Sequence, residues 1–185
     1  LYTAGRGAMT PVRNARINKT VRFWNDRETF IDQLIEDIQS LIKKAIKLNM
    51  IPAVRLNGTS DIAWEKIIHN GKNIMEMFPN VTFYDYTKRF DRVVEFANKK
   101  FPTNYSLTFS RSENNQDEVN QAIKLGVNVA VVFDVVPKTY MNTIVIDGDE
   151  HDARFLDTKN SIVGLKAKGK AKKDLSGFVV NIHKK

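Results

Sequence analysis

From Ile51 onward, short apolar or alternating runs end in polar clusters and are each followed by a stretch with helical spacing. This rhythm constrains the fold more than any other feature. Parallel strands need a crossover connection, and a helix between consecutive strands supplies it. The expected strands are 51–57, 81–87, 105–110, 127–133 and 143–147. Helical patterns lie between the first four, at about 61–77 (Ile62, Ile67 and Met75), 90–99 (Phe90, Val93, Val94 and Ala97) and 115–125 (Val119, Ala122 and Ile123). Gly126 is the expected stop of the last helix. Upstream, Phe30, Leu34, Ile38, Leu41, Ala45 and Leu48 recur at three- and four-residue steps. They predict a long amphipathic helix over about 26–49, with Asn25 and Glu28 as its capping box. The fold class expected is α/β, a parallel sheet flanked by helices, in one domain. Residues 1–25 read as a basic N-terminal loop. Residues 161–185 read as a β-rich basic tail with strand-like pieces at 162–166 and 177–182 around a mobile loop.

Composition narrows the chemistry. The 185 residues hold no Cys, so the sequence offers no disulfide, thiolate metal site or cysteine nucleophile. No apolar run approaches the roughly 18 residues needed to cross a bilayer, and no signal segment opens the chain, so a cytoplasmic protein with no membrane partner is expected. Lys and Arg outnumber Asp and Glu by 29 to 21, and the resulting pI of about 9.6 attracts polyanions such as nucleic acid. No Gly-x-x-x-x-Gly-Lys-Ser/Thr or Gly-x-Ser-x-Gly motif occurs. Leu1 as the first residue points to an upstream N-terminal segment outside this sequence.

In a parallel βα architecture, residues just past the carboxyl ends of the strands share one face, where ligands bind. Here those positions are polar: Arg55, Asn57, Ser60 and Asp61; Asp85, Thr87 and Lys88; Ser110, Arg111 and Glu113. Alternation also sets Tyr84, Tyr86 and Lys88 against Phe83, Asp85 and Thr87, and Ser106, Thr108 and Ser110 against Leu107, Phe109 and Arg111. Arg55, Lys88 and Arg111 suit an anionic group, while Asp61, Asp85 and Glu113 are candidate proton-exchanging or orienting carboxylates, with Asn57, Ser60, Thr87 and Ser110 as ligand contacts. Solvated loop starts are the plain alternative. Asp147, Asp149, His151 and Asp152 crowd into six residues, a density that suits a divalent cation, although an Asp-Gly turn explains the same residues. His69 and His183 are expected at the surface, and Trp64 in the core or at its rim. Lys166, Lys168 and Lys170 lead a basic run through Lys173 which, with Arg6, Arg13 and Arg16, could track nucleic-acid phosphates.

The segments Thr3-Ala4-Gly5-Arg6-Gly7, Ala15-Arg16-Ile17-Asn18-Lys19-Thr20, Arg55-Leu56-Asn57-Gly58-Thr59-Ser60-Asp61, Phe83-Tyr84-Asp85-Tyr86-Thr87-Lys88, Thr108-Phe109-Ser110-Arg111-Ser112-Glu113 and Gly164-Leu165-Lys166-Ala167-Lys168-Gly169 resemble the gene product 88-type family of bacteriophage and prophage proteins. The resemblance covers almost the whole chain. More distantly, the segments at Ser60-Asp61 and Thr87-Lys88-Arg89 resemble phage proteins described as radical-SAM-like. That likeness implies a partial (β/α) barrel, with a [4Fe–4S] centre held by closely spaced cysteines upstream of residue 1 and S-adenosylmethionine over the strand ends. Three readings follow: a radical-SAM-like partial-barrel enzyme or its remnant with a strand-end ligand site; a non-catalytic nucleic-acid-binding accessory protein; and a divalent-metal phosphodiesterase centred on Asp147, Asp149, His151 and Asp152.

Overall fold

Parallel pairing dominates the sheet of the computed structural model, which describes Gly7 and residues 9–182. Its elements run α1 (Thr10–Asn25), α2 (Arg27–Lys47), β1 (Ala53–Val54), α3 (Ile74–Met77), β2 (Thr82–Thr87), α4 (Phe90–Ala97), β3 (Tyr105–Ser110), α5 (Gln116–Lys124), β4 (Val129–Phe133), β5 (Thr139–Tyr140), β6 (Thr143–Asp147), β7 (Ile162–Lys166) and β8 (Val179–Val180). Strand order is β1-β2-β3-β4-β7-β6-β5, all parallel except the β5–β6 hairpin, and β8 also pairs with β4. The barrel is not closed.

The odd-numbered residues of β2 to β4 face the helices. Phe83 and Leu107 pack with Phe23 of α1 and Ile38 of α2, while Phe109, Val129, Val131 and Phe133 pack with Val93 of α4 and with Val119 and Ala122 of α5. Each such fully buried side chain contributes about 1.5–3 kcal/mol of transfer free energy. The opposite, inner face carries the even-numbered residues. The segment after β6 folds back over it, bringing Phe155 within 5.4 Å of the Tyr84 ring, centre to centre.

Strand β4 has an unusual division of partners. Ala130 O accepts from Arg111 N and Asp134 N donates to Val180 O on one edge, while Val129 N donates to Ser161 O and Phe133 O accepts from Ala167 N on the other. Alternate residues point to opposite edges. Strand β8 therefore occupies the carboxyl half of the edge whose amino half belongs to β3, and wedges the two strands apart.

Several expectations need correction. Residues 10–25 of the expected basic loop are helical, because Pro11 sits at the first turn and no glycine interrupts the run. Arg13 and Arg16 thus lie on α1, and Arg6 and His183 lie outside the described residues. The cap of α2 is Asp26, whose side chain accepts from Thr29 N, rather than Asn25. The expected strand 51–57 keeps only two residues: Asn57 N turns away to the Asp85 carboxylate. The expected helix over 61–77 is a single 3₁₀ turn at Trp64–Lys66 plus α3, since Asn70 and Gly71 adopt positive φ and make a turn that joins His69 to Lys72. His69 is buried rather than at the surface, with its ring nitrogens 3.3 Å and 2.9 Å from Glu28 and Asp32 of α2. Strand β7 is an interior strand between β4 and β6, so 161–185 is no appendix, and 169–173 forms a 3₁₀ turn.

Candidate functional site

Small side chains create the site. On the inner face at the carboxyl ends of the strands, Ser110 and Ala130 stand where larger residues would fill the half-barrel. Gly148 follows β6, so close to β7 that a Cβ there would lie 2.5 Å from Val163 Cγ1. The space left is a cavity of about 650 Å³. Its floor is apolar, built from Ala130, Val132, Leu165 and Ala171, with the rings of Tyr86 and Phe178 on its walls.

Five cationic side chains surround that floor: Arg55, Lys88, Arg111, Lys166 and Lys168. Two carboxylates, Asp149 and Asp152, also line it, leaving a formal surplus of three positive charges. Both carboxylates are engaged. Asp152 accepts from Arg55 Nη1 at 2.9 Å, and Asp149 accepts from Lys168 Nζ at 2.7 Å and Lys166 N at 3.1 Å. Burial alone would raise the Asp149 pKa, but these lysine bonds outweigh it and hold the carboxyl below its ordinary value. The Arg55 guanidinium stacks 4.5 Å from the centre of the Tyr86 ring, and burial pushes the Tyr86 phenol up to about 12, so it stays protonated.

Lys88, Arg111 and the Lys166 side chain meet no carboxylate among the described residues, since Lys166 reaches Asp149 only through its backbone N, and of the three Lys88 and Arg111 adjoin Phe178. Arg111 donates Nη1 to the carbonyls of Gly177 and Phe178 at 2.9 Å and 3.0 Å, and Nε to the Gln116 side chain. It thereby fixes the segment leading into β8. Lys88 Nζ lies 5.7 Å from the centre of the Phe178 ring. Two uncompensated cations therefore flank one aromatic wall.

A second polar system lies behind the sheet. Arg92 of α4 is fully buried and donates to Asp61 (2.8 Å), to both oxygens of Glu65 (2.9 Å and 2.8 Å) and to the Tyr105 hydroxyl (2.8 Å). Burial opposes its charge, yet the bonds to Glu65 and Asp61 and the nearby Tyr105 hold its pKa above that of an ordinary arginine. Asp61 also accepts from the Thr87 hydroxyl and Lys88 N. Asp85 accepts from Asn57 N, Asn57 Nδ2 and the Tyr105 hydroxyl, and Asn57 Oδ1 accepts from Ser60 and the Trp64 indole. Burial drives the Asp85 carboxyl up to about 6 even though these donors lower it.

The model of the family described as Gene product 88 matches residues 1–182. The chain belongs to that family. No curated protein and no solved structure matches it.

This Gene product 88 member divides the sequence-predicted residues into two groups. Arg55, Lys88, Ser110, Arg111, Asp149, His151, Asp152, Lys166 and Lys168 meet at the cavity. Asn57, Ser60, Asp61, Asp85 and Thr87 belong to the network behind the sheet, while Glu113 is exposed in a shallow depression at the start of α5. The proposed metal quartet does not converge. Asp149 and Asp152 face cations, Asp147 accepts from Asp149 N, and His151 contacts Arg154. Among the described residues no group of three or more His, Asp or Glu is arranged to hold a metal ion. Lys170 follows Lys168 on the exposed 3₁₀ turn rather than in a mobile loop. No residue of this chain can supply a thiolate to a [4Fe–4S] centre.

Sequence reasoning missed Phe178 and Arg92. Phe178 reaches the cavity only because β8 wedges in beside β4. Arg92 adjoins the apolar Val93 and Val94 in α4, and an arginine inside such a run is a signal of a buried partner. The structure has no helix, among the described residues, long and apolar enough to cross a membrane.

Proposed function

We propose that the chain is a ligand-binding partial-barrel shell, an enzyme or the remnant of one, that takes a small anionic, phosphate-bearing molecule in the cavity at its strand carboxyl ends. One observation carries this reading: Lys88 and Arg111 sit together over an apolar floor with no carboxylate to neutralise them. Paired cations aimed into a partly desolvated space favour a multiply charged oxyanion, and guanidinium geometry suits its oxygens. Asp61 and Asp85 then serve as positioning groups, since they hold the carboxyl ends of β1 and β2 in place from behind. Calorimetric titration of the chain with inorganic pyrophosphate tests this. Saturable one-site binding, weakened at least tenfold in Lys88→Ala and Arg111→Ala, is the expected result. Absence of binding at millimolar pyrophosphate refutes it.

A radical-enzyme form of this reading needs cluster ligands from outside these residues. Iron and sulfide content of the full gene product purified anaerobically decides that form.

A nucleic-acid-binding role is favoured by one further observation. Helix α1 exposes Arg13, Lys19 and Arg22 with no acidic residue between Thr10 and Asn25, and Lys170, Lys172 and Lys173 stand beside the cavity rim. Phosphate contacts of this kind predict oligonucleotide affinity that falls steeply with salt. A flat salt dependence excludes the role.

A further inference from the structure

The anion-binding reading leaves the body of the ligand undefined, and the cavity walls define it. We infer that the occupant is a nucleoside phosphate, its base against the Phe178 wall and apolar floor and its phosphate on Lys88 and Arg111. This inference rests on the proposed anion site and adds to it.

Three observations combine. Ala130, Val132 and Leu165 contribute an apolar floor that a bare phosphate or a phosphorylated sugar, polar over its whole surface, leaves uncontacted. Phe178 presents an aromatic wall next to the two uncompensated cations, so a flat ring on that wall places a phosphate tethered to it within their reach. Ser110 lines the same space, and its hydroxyl makes no hydrogen bond with another described residue, leaving a donor and acceptor for a base edge or ribose hydroxyl.

Charge argues against the other nucleoside that the strand-end position brings to mind. S-adenosylmethionine carries a sulfonium and an ammonium against a single carboxylate and is a net cation, whereas a nucleoside monophosphate is an anion. Asp149 and Asp152 are both committed to lysine and arginine partners. A surplus of three positive charges repels such a cation and attracts a phosphate.

Titration calorimetry on the full chain at fixed salt, with inorganic phosphate, AMP, UMP, adenosine, S-adenosylmethionine and a 5′-phosphorylated trinucleotide as separate probes, tests the inference. The expected result is that AMP or UMP binds at least tenfold more tightly than inorganic phosphate and than adenosine. Phe178→Leu and Ala130→Leu should each cut the gain of AMP or UMP over inorganic phosphate, measured on the same variant, to less than threefold. Ala130→Leu acts from the floor and Phe178→Leu from the wall, so the test does not depend on one variant. Binding of the trinucleotide more tightly than AMP makes the end of a nucleic-acid strand the source of the nucleotide, and equal binding makes it a free nucleotide. Phosphate binding with no gain from either nucleoside overturns the inference and leaves the anion site standing. Loss of phosphate and nucleotide binding together overturns both, and S-adenosylmethionine binding as tightly as AMP overturns the inference alone.

Discussion

The two faces of β2 carry polar chemistry of opposite kinds. Behind it, Asp61, Glu65, Asp85, Asn57, Tyr105 and Arg92 bond to one another. In front of it, Lys88 and Arg111 point into a cavity without carboxylate partners. Asn57, Asp61 and Asp85 of the first set and Lys88 and Arg111 of the second are all polar residues near strand carboxyl ends and look alike in the sequence. A buried polar group neutralised and saturated by protein partners holds the fold together, whereas a cation with no carboxylate beside a cavity remains available to an anionic ligand.

The largest way to break this contrast is to remove Arg92. Arg92→Ala leaves the Asp61 and Glu65 carboxylates without their buried cation and should cost about 3–5 kcal/mol in urea unfolding. A loss under about 1 kcal/mol would mean that the rear network does not brace the sheet.

Asp85 gives the next largest effect, with a distinctive sign. Its carboxyl is raised from 3.8 to about 6 in the folded state, so the native protein holds a proton that the unfolded chain releases. Below about pH 4 both states are protonated. As pH rises from about 4 to about 6 the Asp85 contribution to stability should fall, by an amount on the order of 3 kcal/mol, and then level off. Asp85→Asn should abolish that slope; unfolding curves collected across the window measure it, and an unchanged slope rejects the assignment.

Gly148→Ala should destabilise by about 1–3 kcal/mol in thermal or denaturant melts, because the new methyl meets Val163, Leu165 and the Gly164 carbonyl at 2.5–3.0 Å. It tests whether the close approach of the post-β6 turn to β7 is needed to frame the cavity.

The smallest stability effect belongs to the front. Lys88→Ala should shift stability by no more than about 0.5 kcal/mol while weakening pyrophosphate at least tenfold, which separates the two faces by measurement. A large stability loss in this variant would erase the distinction.

Much of the fold could be read from periodicity. At 105–110, 143–147 and 162–166 the expected and observed strand bounds agree, because alternation and flanking turn residues coincide there. Misreadings arose where one side chain redirects the backbone: Asp85 draws Asn57 out of β1, and the Asn70-Gly71 turn breaks a stretch with helical spacing. About half of the site was visible from the strand-end rule. That rule names a rim of the sheet but not which side a residue bonds to, so it could not separate Asp85 from Lys88. Phe178 lies some 68 residues beyond Ser110 in the chain and joins it only through the wedge of β8, which no local pattern encodes.

The wedge also sets how the protein breathes. Strand β8 is two residues long and held by its pairing with Val132 and Phe133, by the grip of Arg111 on the preceding carbonyls, and by the Asp174 and Asp134 side chains, which accept from Val179 N and Ile182 N, whereas β7 shares five paired positions with β4. The free energy of local opening rises with the number of such bonds, so the amides of Val179 and Val180 should exchange with solvent before those of β4 and β7. Fraying of β8 thus swings aside the aromatic wall of the cavity while β4 and β7 stay paired, a route into the site that needs no motion of the core.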